Sequence, residues 1–153
     1  MALLPDATLL IVGEGPEQAE LERLAKRLCG RVRLLGSLPH AELPRLLAAA
    51  DAMLLASERE GLANVWVEAL ACGTPVVIGD AGGAREVVDR AEAGRIVERN
   101  PEAIAAALRT LIASPPDAAK VRRSAERFSW QKNGAELARH LREIAAGAAS
   151  IAR

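Results

Sequence analysis

Apolar residues in this chain fall into two alternating patterns. Short apolar runs of strand length, interrupted only at Thr8, Arg33 and Arg95, occupy residues 7–12, 32–35, 52–56, 75–78 and 94–97. They are otherwise continuous rather than alternating, which is how strands buried on both faces of a parallel sheet read. Between them, apolar positions recur at helical spacing. Leu21, Leu24, Ala25 and Leu28 stand at i, i+3, i+4 and i+7, in a segment opened by Pro16 with Glu17 and Glu20 and closed by Gly30. Leu43, Leu46, Leu47 and Ala50 repeat that spacing, and Ile104, Leu108, Leu111 and Ile112 form a third face after Asn100-Pro101. The rhythm predicts a doubly wound, Rossmann-like α/β fold with a parallel sheet of about five strands.

Ser114-Pro115-Pro116-Asp117 breaks the rhythm, and beyond it only helix is written. Ser129 is placed to cap a last helix carrying Leu137, Leu141 and Ile144. No repeat and no long linker divides the chain. The expected organisation is one domain over residues 1–153, an α/β core at 1–113 followed by a helical tail at 114–153.

Composition excludes more than it names. A chain of 153 residues is long enough for one hydrophobic core, and 50% apolar with 26% charged residues is ordinary for a globular protein. Zero net charge, with the signs interspersed, argues against a nucleic-acid partner. No apolar run approaches the ~20 residues that cross a bilayer, and no secretory leader follows Met1. Cys29 and Cys72 stand far apart and outside any metal-binding pattern, so a cytoplasmic protein with reduced cysteines and no metal or cofactor is expected. One Phe, two Trp and no Tyr leave the core to Leu, Val, Ile and Ala.

Open α/β sheets bind ligands at the carboxyl ends of their strands. Four loops stand there. Gly13-Glu14-Gly15-Pro16 could bring backbone amides to a phosphate, but Gln18 breaks the Gly-x-Gly-x-x-Gly pattern, and a tight strand-to-helix turn is the plainer reading. Leu35-Gly36-Ser37-Leu38-Pro39 carries no signal of its own. Gly79-Asp80-Ala81-Gly82-Gly83-Ala84-Arg85-Glu86 either admits a ligand closely or is simply flexible.

The remaining loop is the most informative. A strand ends near Ser57, Glu60-Gly61 follow, and a helix starts near Asn64 with Glu68 just over one turn inside it. Helical side chains lean toward the N-terminus, so Glu68 points back to the helix mouth that Glu60 overhangs. Free amides and the helix dipole at that mouth favour a phosphate. Carboxylates on either side could then grip hydroxyls, since charge-assisted bonds to a diol are strong. Spacing alone leaves the plainer alternative standing, that Glu58, Glu60 and Glu68 are solvated surface charges.

Glu60-Gly61 through Glu68-Ala69-Leu70-Ala71-Cys72-Gly73-Thr74-Pro75-Val76-Val77, with seven residues between the acids, resembles the paired-glutamate motif of group 1 (family 4) retaining glycosyltransferases. The resemblance is to the C-terminal, nucleotide-sugar-binding half of their GT-B fold. It extends through Ile11-Val12-Gly13-Glu14-Gly15-Pro16, Leu35-Gly36, Ala49-Ala50-Asp51, Gly82-Gly83, Glu86-Val87-Val88 and Phe128-Ser129-Trp130. It implies that Glu60 meets the donor sugar hydroxyls beside the anomeric carbon and that Glu68 binds the ribose hydroxyls. Gly61, Leu62, Ala63, Asn64 and Val65 would meet sugar and diphosphate, Ser37 and Leu38 the base, with Gly13 and Gly15 nearby. Transfer would proceed by front-face attack, with neither glutamate a covalent nucleophile.

The resemblance also implies parts not written here. Family members carry, upstream of the matching segment, a strand and helix with a Gly-Arg and a Lys that neutralise the departing diphosphate. They also carry an N-terminal acceptor domain, the only part through which peripheral membrane association is expected. This chain is therefore expected to bind the donor without transferring it alone. The unmatched strand is central in the usual order, so its neighbours must pair directly, borrow a strand or leave a gap. A non-catalytic nucleotide-binding or protein-interaction module is the competing reading. A nucleotide-sugar epimerase fits the motifs less well, and a receiver-type domain lacks its clustered acids, with Lys only at 26, 120 and 132.

Overall fold

Each of the five apolar runs forms a strand in the computed structural model, which describes residues 1–151; the last two residues of the expected tail lie outside it. The strands are β1 (Leu9–Ile11), β2 (Val32–Leu34), β3 (Met53–Leu55), β4 (Val76–Gly79) and β5 (Gly94–Val97), all shorter than or equal to their runs at the N-terminal end. Every pairing is parallel. Helices α1 (Gln18–Lys26), α2 (Leu43–Ala48), α3 (Asn64–Cys72) and α4 (Ala84–Val87) make the crossovers, followed by α5 (Pro101–Ala113), α6 (Ala118–Ala125) and α7 (Trp130–Ile151).

β4 is the centre of the core. Val76, Val77 and Ile78 are fully buried, as a strand covered on both faces must be. One face meets Trp66, Ala69 and Leu70 of α3 together with Val121 of α6, and the other meets Ala107 and Leu111 of α5. Each fully buried Val, Leu or Ile contributes about 1.5–3 kcal/mol. Val121 and Ser124 of α6 are buried, so the segment after Ser114 supplies part of the core. Gly94, at φ +146°, lets β5 approach where a side chain would run into the Val76 backbone.

The strands do not form one continuous ladder. β1 pairs with β2, while β3, β4 and β5 form a separate sheet. Leu9, Ile11 and Gly13 turn their backbone groups toward β2. In a parallel ladder the alternate residues, Leu10 and Val12, then turn theirs to the opposite edge. Met53 likewise bonds to Pro75, which leaves Leu54 on the far edge of β3. Both unpaired edges line one apolar cleft of about 960 Å³ with Leu46 and Ile112. Of the three outcomes foreseen for the strands on either side, direct pairing, a borrowed strand or a gap, the gap is the one observed among the described residues.

Helix ends and faces also differ from the periodic pattern. α1 stops at Lys26, because the chain turns through left-handed Cys29 (φ 49°) and Gly30 (φ 76°) into β2, so Leu28 falls beyond the helix. No α1 residue is fully buried, and Leu24 is exposed. In α5 the buried positions are Ala105, Ala107 and Leu111, while Ile112 faces the cleft. Ser129 does cap α7, its Oγ accepting from the Lys132 amide at 3.3 Å, yet Leu137, Leu141 and Ile144 stay exposed.

Candidate functional site

α3 is fixed on the core side and open at its mouth. Trp66, Ala69 and Leu70, at helical spacing, are fully buried. Gly73 ends the helix at φ 87°, where a glycine adopts the left-handed conformation without strain. The buried Thr74 hydroxyl then donates to the Leu47 carbonyl at 2.6 Å and anchors that end to α2. At the other end Ala63 occupies the cap position and has no side-chain acceptor to offer. The Trp66 amide bonds back to the Ala63 carbonyl, but Asn64 and Val65 receive no side-chain cap, and no acid sits in the first turn. An uncapped, uncharged N-terminus of this kind favours an anion.

The two glutamates have different neighbours. Glu68 is half-buried and faces the 3-10 turn His40–Glu42, where its Oε1 lies 3.0 Å from His40 Nε2. Its negative charge is felt one turn on at Cys72, whose thiol is pushed up first by burial and then by Glu68, with Arg122 opposing. Glu60 is half-buried in the β3–α3 loop. The next loop braces it, since the Gly83 amide donates to the Gly61 carbonyl at 2.7 Å. Gly82, at φ 51°, sits so close to the Glu60 and Gly61 carbonyls that no side chain fits. Gly82 is therefore required by backbone-to-backbone packing, whereas a side chain at Gly83 would first meet the Leu62 side chain.

The loops after β1 and β2 are joined in the same manner. Gly13, at φ 118°, donates its amide to the Gly36 carbonyl at 2.8 Å. The Ser37 amide donates to Glu14 Oε1 at 3.3 Å. Any contact a ligand makes with the backbone at Ser37 must therefore use its carbonyl or displace Glu14, while Leu38 remains unengaged. Gly15 is exposed with open space about its Cα. Gly61, Leu62 and Asn64 are exposed, Ala63 and Val65 partly buried, so the mouth is open to solvent.

Glu14 and His40 went unnoticed in the sequence. Glu14 lies inside the Gly-x-Gly turn, and His40 directly follows Leu38-Pro39. Nothing local links His40 to a glutamate 28 residues away. Only the βα crossover brings the start of α2 against α3.

Two open clefts lie away from this mouth. Of the residues named at the mouth, only Val65 also lines the β1–β3 cleft. A second cavity, of about 420 Å³, is walled by Asp89, Arg90, Glu92, Lys120 and Arg123. Among the described residues, no group of three His, Cys, Asp or Glu side chains is placed to hold a metal ion. Among the same residues no helix is long and apolar enough to cross a membrane.

Comparison with known proteins follows the same residues. Residues 1–128 match the sequence profile of glycosyl transferases group 1. The chain is 39% identical over 134 residues to a GDP-mannose-dependent α-(1-6)-phosphatidylinositol dimannoside mannosyltransferase of Mycobacterium tuberculosis, an alignment covering 86% of this chain and 35% of the relative. It is 37% identical over 135 residues to a glycogen synthase of the same organism, covering 83% of this chain and 33% of that one. Among solved structures, sucrose-phosphate synthase from Thermosynechococcus elongatus superposes with a TM-score of 0.77 at 26% identity, over 95% of this chain and 41% of that one. HepE of Anabaena, solved in complex with UDP, gives 0.77 at 28% identity, over 94% of this chain and 45% of that one. The chain thus spans about a third of the length of the curated relatives, 35% and 33% for the two above.

Proposed function

This chain belongs to the glycosyl transferases group 1, and on that footing we propose that it holds a nucleotide-diphosphate-sugar donor at the mouth of α3. The reaction served is retaining transfer of the sugar to a glycan or a lipid-linked acceptor. The observation that supports the reading is an uncapped α3 N-terminus with Glu60 in the loop leading into it and Glu68 just over one turn inside it. Glu68, on the side of the Ser37-Leu38 loop, accepts the ribose hydroxyls. Glu60, on the side of the Gly82-Gly83 loop, accepts donor sugar hydroxyls beside the anomeric carbon. The amides from Gly61 to Val65 receive the diphosphate, where the helix dipole favours its charge. Ser37 and Leu38 meet the base through the backbone, and Gly13 and Gly15 leave room beside them.

The relatives support a donor of this class: one is named GDP-mannose-dependent, and HepE was solved with UDP. On this reading neither glutamate forms a covalent intermediate. The diphosphate leaves on the face from which the acceptor attacks and helps take the acceptor's proton. Holding the reactants in that geometry supplies much of the acceleration. The relatives are about three times as long, and the acceptor site and the cations that stabilise the leaving diphosphate fall to the rest of such a polypeptide. The 153 residues alone then bind donor without turning it over. We place this chemistry in the cytoplasm, consistent with two free cysteines, and assign it no metal.

Calorimetric titration of UDP, GDP and ADP into the chain and into Glu68→Ala tests the reading. Saturable binding of at least one nucleotide is expected, weakened roughly tenfold or more by the substitution. Failure of all three to bind at millimolar concentration would overturn it.

A further inference from the structure

We propose that His40 is a positioning residue of the donor site: donation from its Nε2 to Glu68 Oε1 fixes the glutamate so that Oε2 is presented to the ribose. The inference rests on the donor-site reading and adds a residue that reading does not contain. His40 opens the 3-10 turn His40–Glu42, entered through Pro39 at φ −55° and ψ 135°. The turn runs directly into α2, which packs on α3 and is tied to its far end by the buried Thr74–Leu47 bond. The imidazole is thus delivered to α3 by a fixed frame, although the ring itself is exposed.

A carboxylate has two oxygens, and a vicinal diol needs at least one of them aimed. Among the described residues His40 is the sole side-chain hydrogen-bonding partner of Glu68. Without it, a half-buried glutamate with no other side-chain partner samples several rotamers, and ordering it falls to the ligand. With Oε1 held at 3.0 Å, the remaining oxygen is directed before the ligand arrives. His40 also follows Leu38 by two residues, so the same bond ties the loop on the base side to the helix that carries the ribose carboxylate. Nε2 donates in the protonated ring and in the Nε2–H tautomer, and not in the other neutral tautomer.

A double-mutant cycle reads this coupling. UDP and GDP are titrated by calorimetry into the chain, His40→Ala, His40→Gln, Glu68→Ala and the His40→Ala/Glu68→Ala pair. His40→Ala is expected to weaken binding about 3- to 10-fold, the range for an exposed hydrogen bond to a charged group. His40→Gln, which keeps a side-chain N–H, recovers part of the loss, and His40→Ala has no further effect once Glu68 is Ala. Unchanged affinity in His40→Ala, or losses that simply add, would overturn the role. If the parent chain binds neither nucleotide, the donor-site reading fails instead. The pair is then read in the unliganded chain by long-range proton–nitrogen NMR of the His40 ring. An Nε2 proton whose signal moves in Glu68→Gln supports the contact, and an unchanged spectrum removes it.

Discussion

The amide of Gly83 donates to the carbonyl of Gly61 across 2.7 Å, joining the loop after β4 to the loop that carries Glu60. The bond is short because Gly82, at φ 51°, brings its Cα against the Glu60 and Gly61 carbonyls. Gly82→Ala would meet both a left-handed backbone and an occupied space. We expect a loss of about 1–3 kcal/mol in urea unfolding and a displaced Glu60 loop. Unchanged stability together with unchanged nucleotide affinity would contradict this bracing role.

Thr74 belongs to the motif that resembles the family, yet its contact is structural. Its buried hydroxyl reaches the Leu47 carbonyl at 2.6 Å and joins α2 to the end of α3. Thr74→Val keeps the shape and removes one of two donors to the Leu47 carbonyl, which still accepts from the Ala50 amide at 3.0 Å. The expected cost is about 0.5–1.5 kcal/mol in denaturant unfolding, with nucleotide affinity changed far less than by Glu68→Ala.

The divided sheet is expected to show in amide hydrogen exchange. Leu10, Val12 and Leu54 face the open edges of the cleft, whereas Val77 lies in buried β4. Exchange at the three edge amides should outpace that at Val77 by at least about an order of magnitude. Equal protection would mean that the edges are paired in solution.

Asp89 gives the fold an acid-sensitive contact. Arg90 Nε donates to its Oδ1 at 3.1 Å and Arg127 Nη1 stands 3.6 Å from its Oδ2. The bond from Arg90 chiefly holds the Asp89 carboxyl below its usual 3.8, against some burial. A carboxylate depressed in the folded state contributes stability above its unfolded value, and that contribution is lost as pH falls through the folded one. Asp89→Asn should therefore lower stability at neutral pH by about 0.5–1 kcal/mol, small because solvent screens the pair. In acid, once Asp89 is protonated in both states, the difference should close. A gap that persists undiminished in acid would point to packing instead of charge.

Strand positions, the parallel sense of the pairing and the Ser129 cap were readable from sequence because each depends on a local run of residue types. The burial of α1 and α7 was not. Leu24, Leu137, Leu141 and Ile144 keep perfect helical spacing yet stay exposed, since periodicity records an apolar face and not whether this chain covers it. Ile112 deviates for the same reason, facing the cleft beside β3. At the candidate site, Glu60 and Glu68 were legible from a motif of contiguous residues. Glu14 and His40 were not, because their partners Ser37 and Glu68 come from other crossovers. The need for glycine at position 82 was not legible either, because the Glu60 and Gly61 carbonyls that crowd it come from another loop.

Amide chemical-shift mapping with a nucleoside diphosphate tests the central claim most directly, because it reports where binding occurs as well as whether it does. Titrating UDP or GDP into isotope-labelled chain should move the amides of Gly61 to Val65 and of Ser37 to His40 together, along one binding curve. Shifts confined to the β1–β3 cleft around Leu10, Leu54 and Ile112, or no shifts at millimolar nucleotide, would contradict a donor site at the mouth of α3.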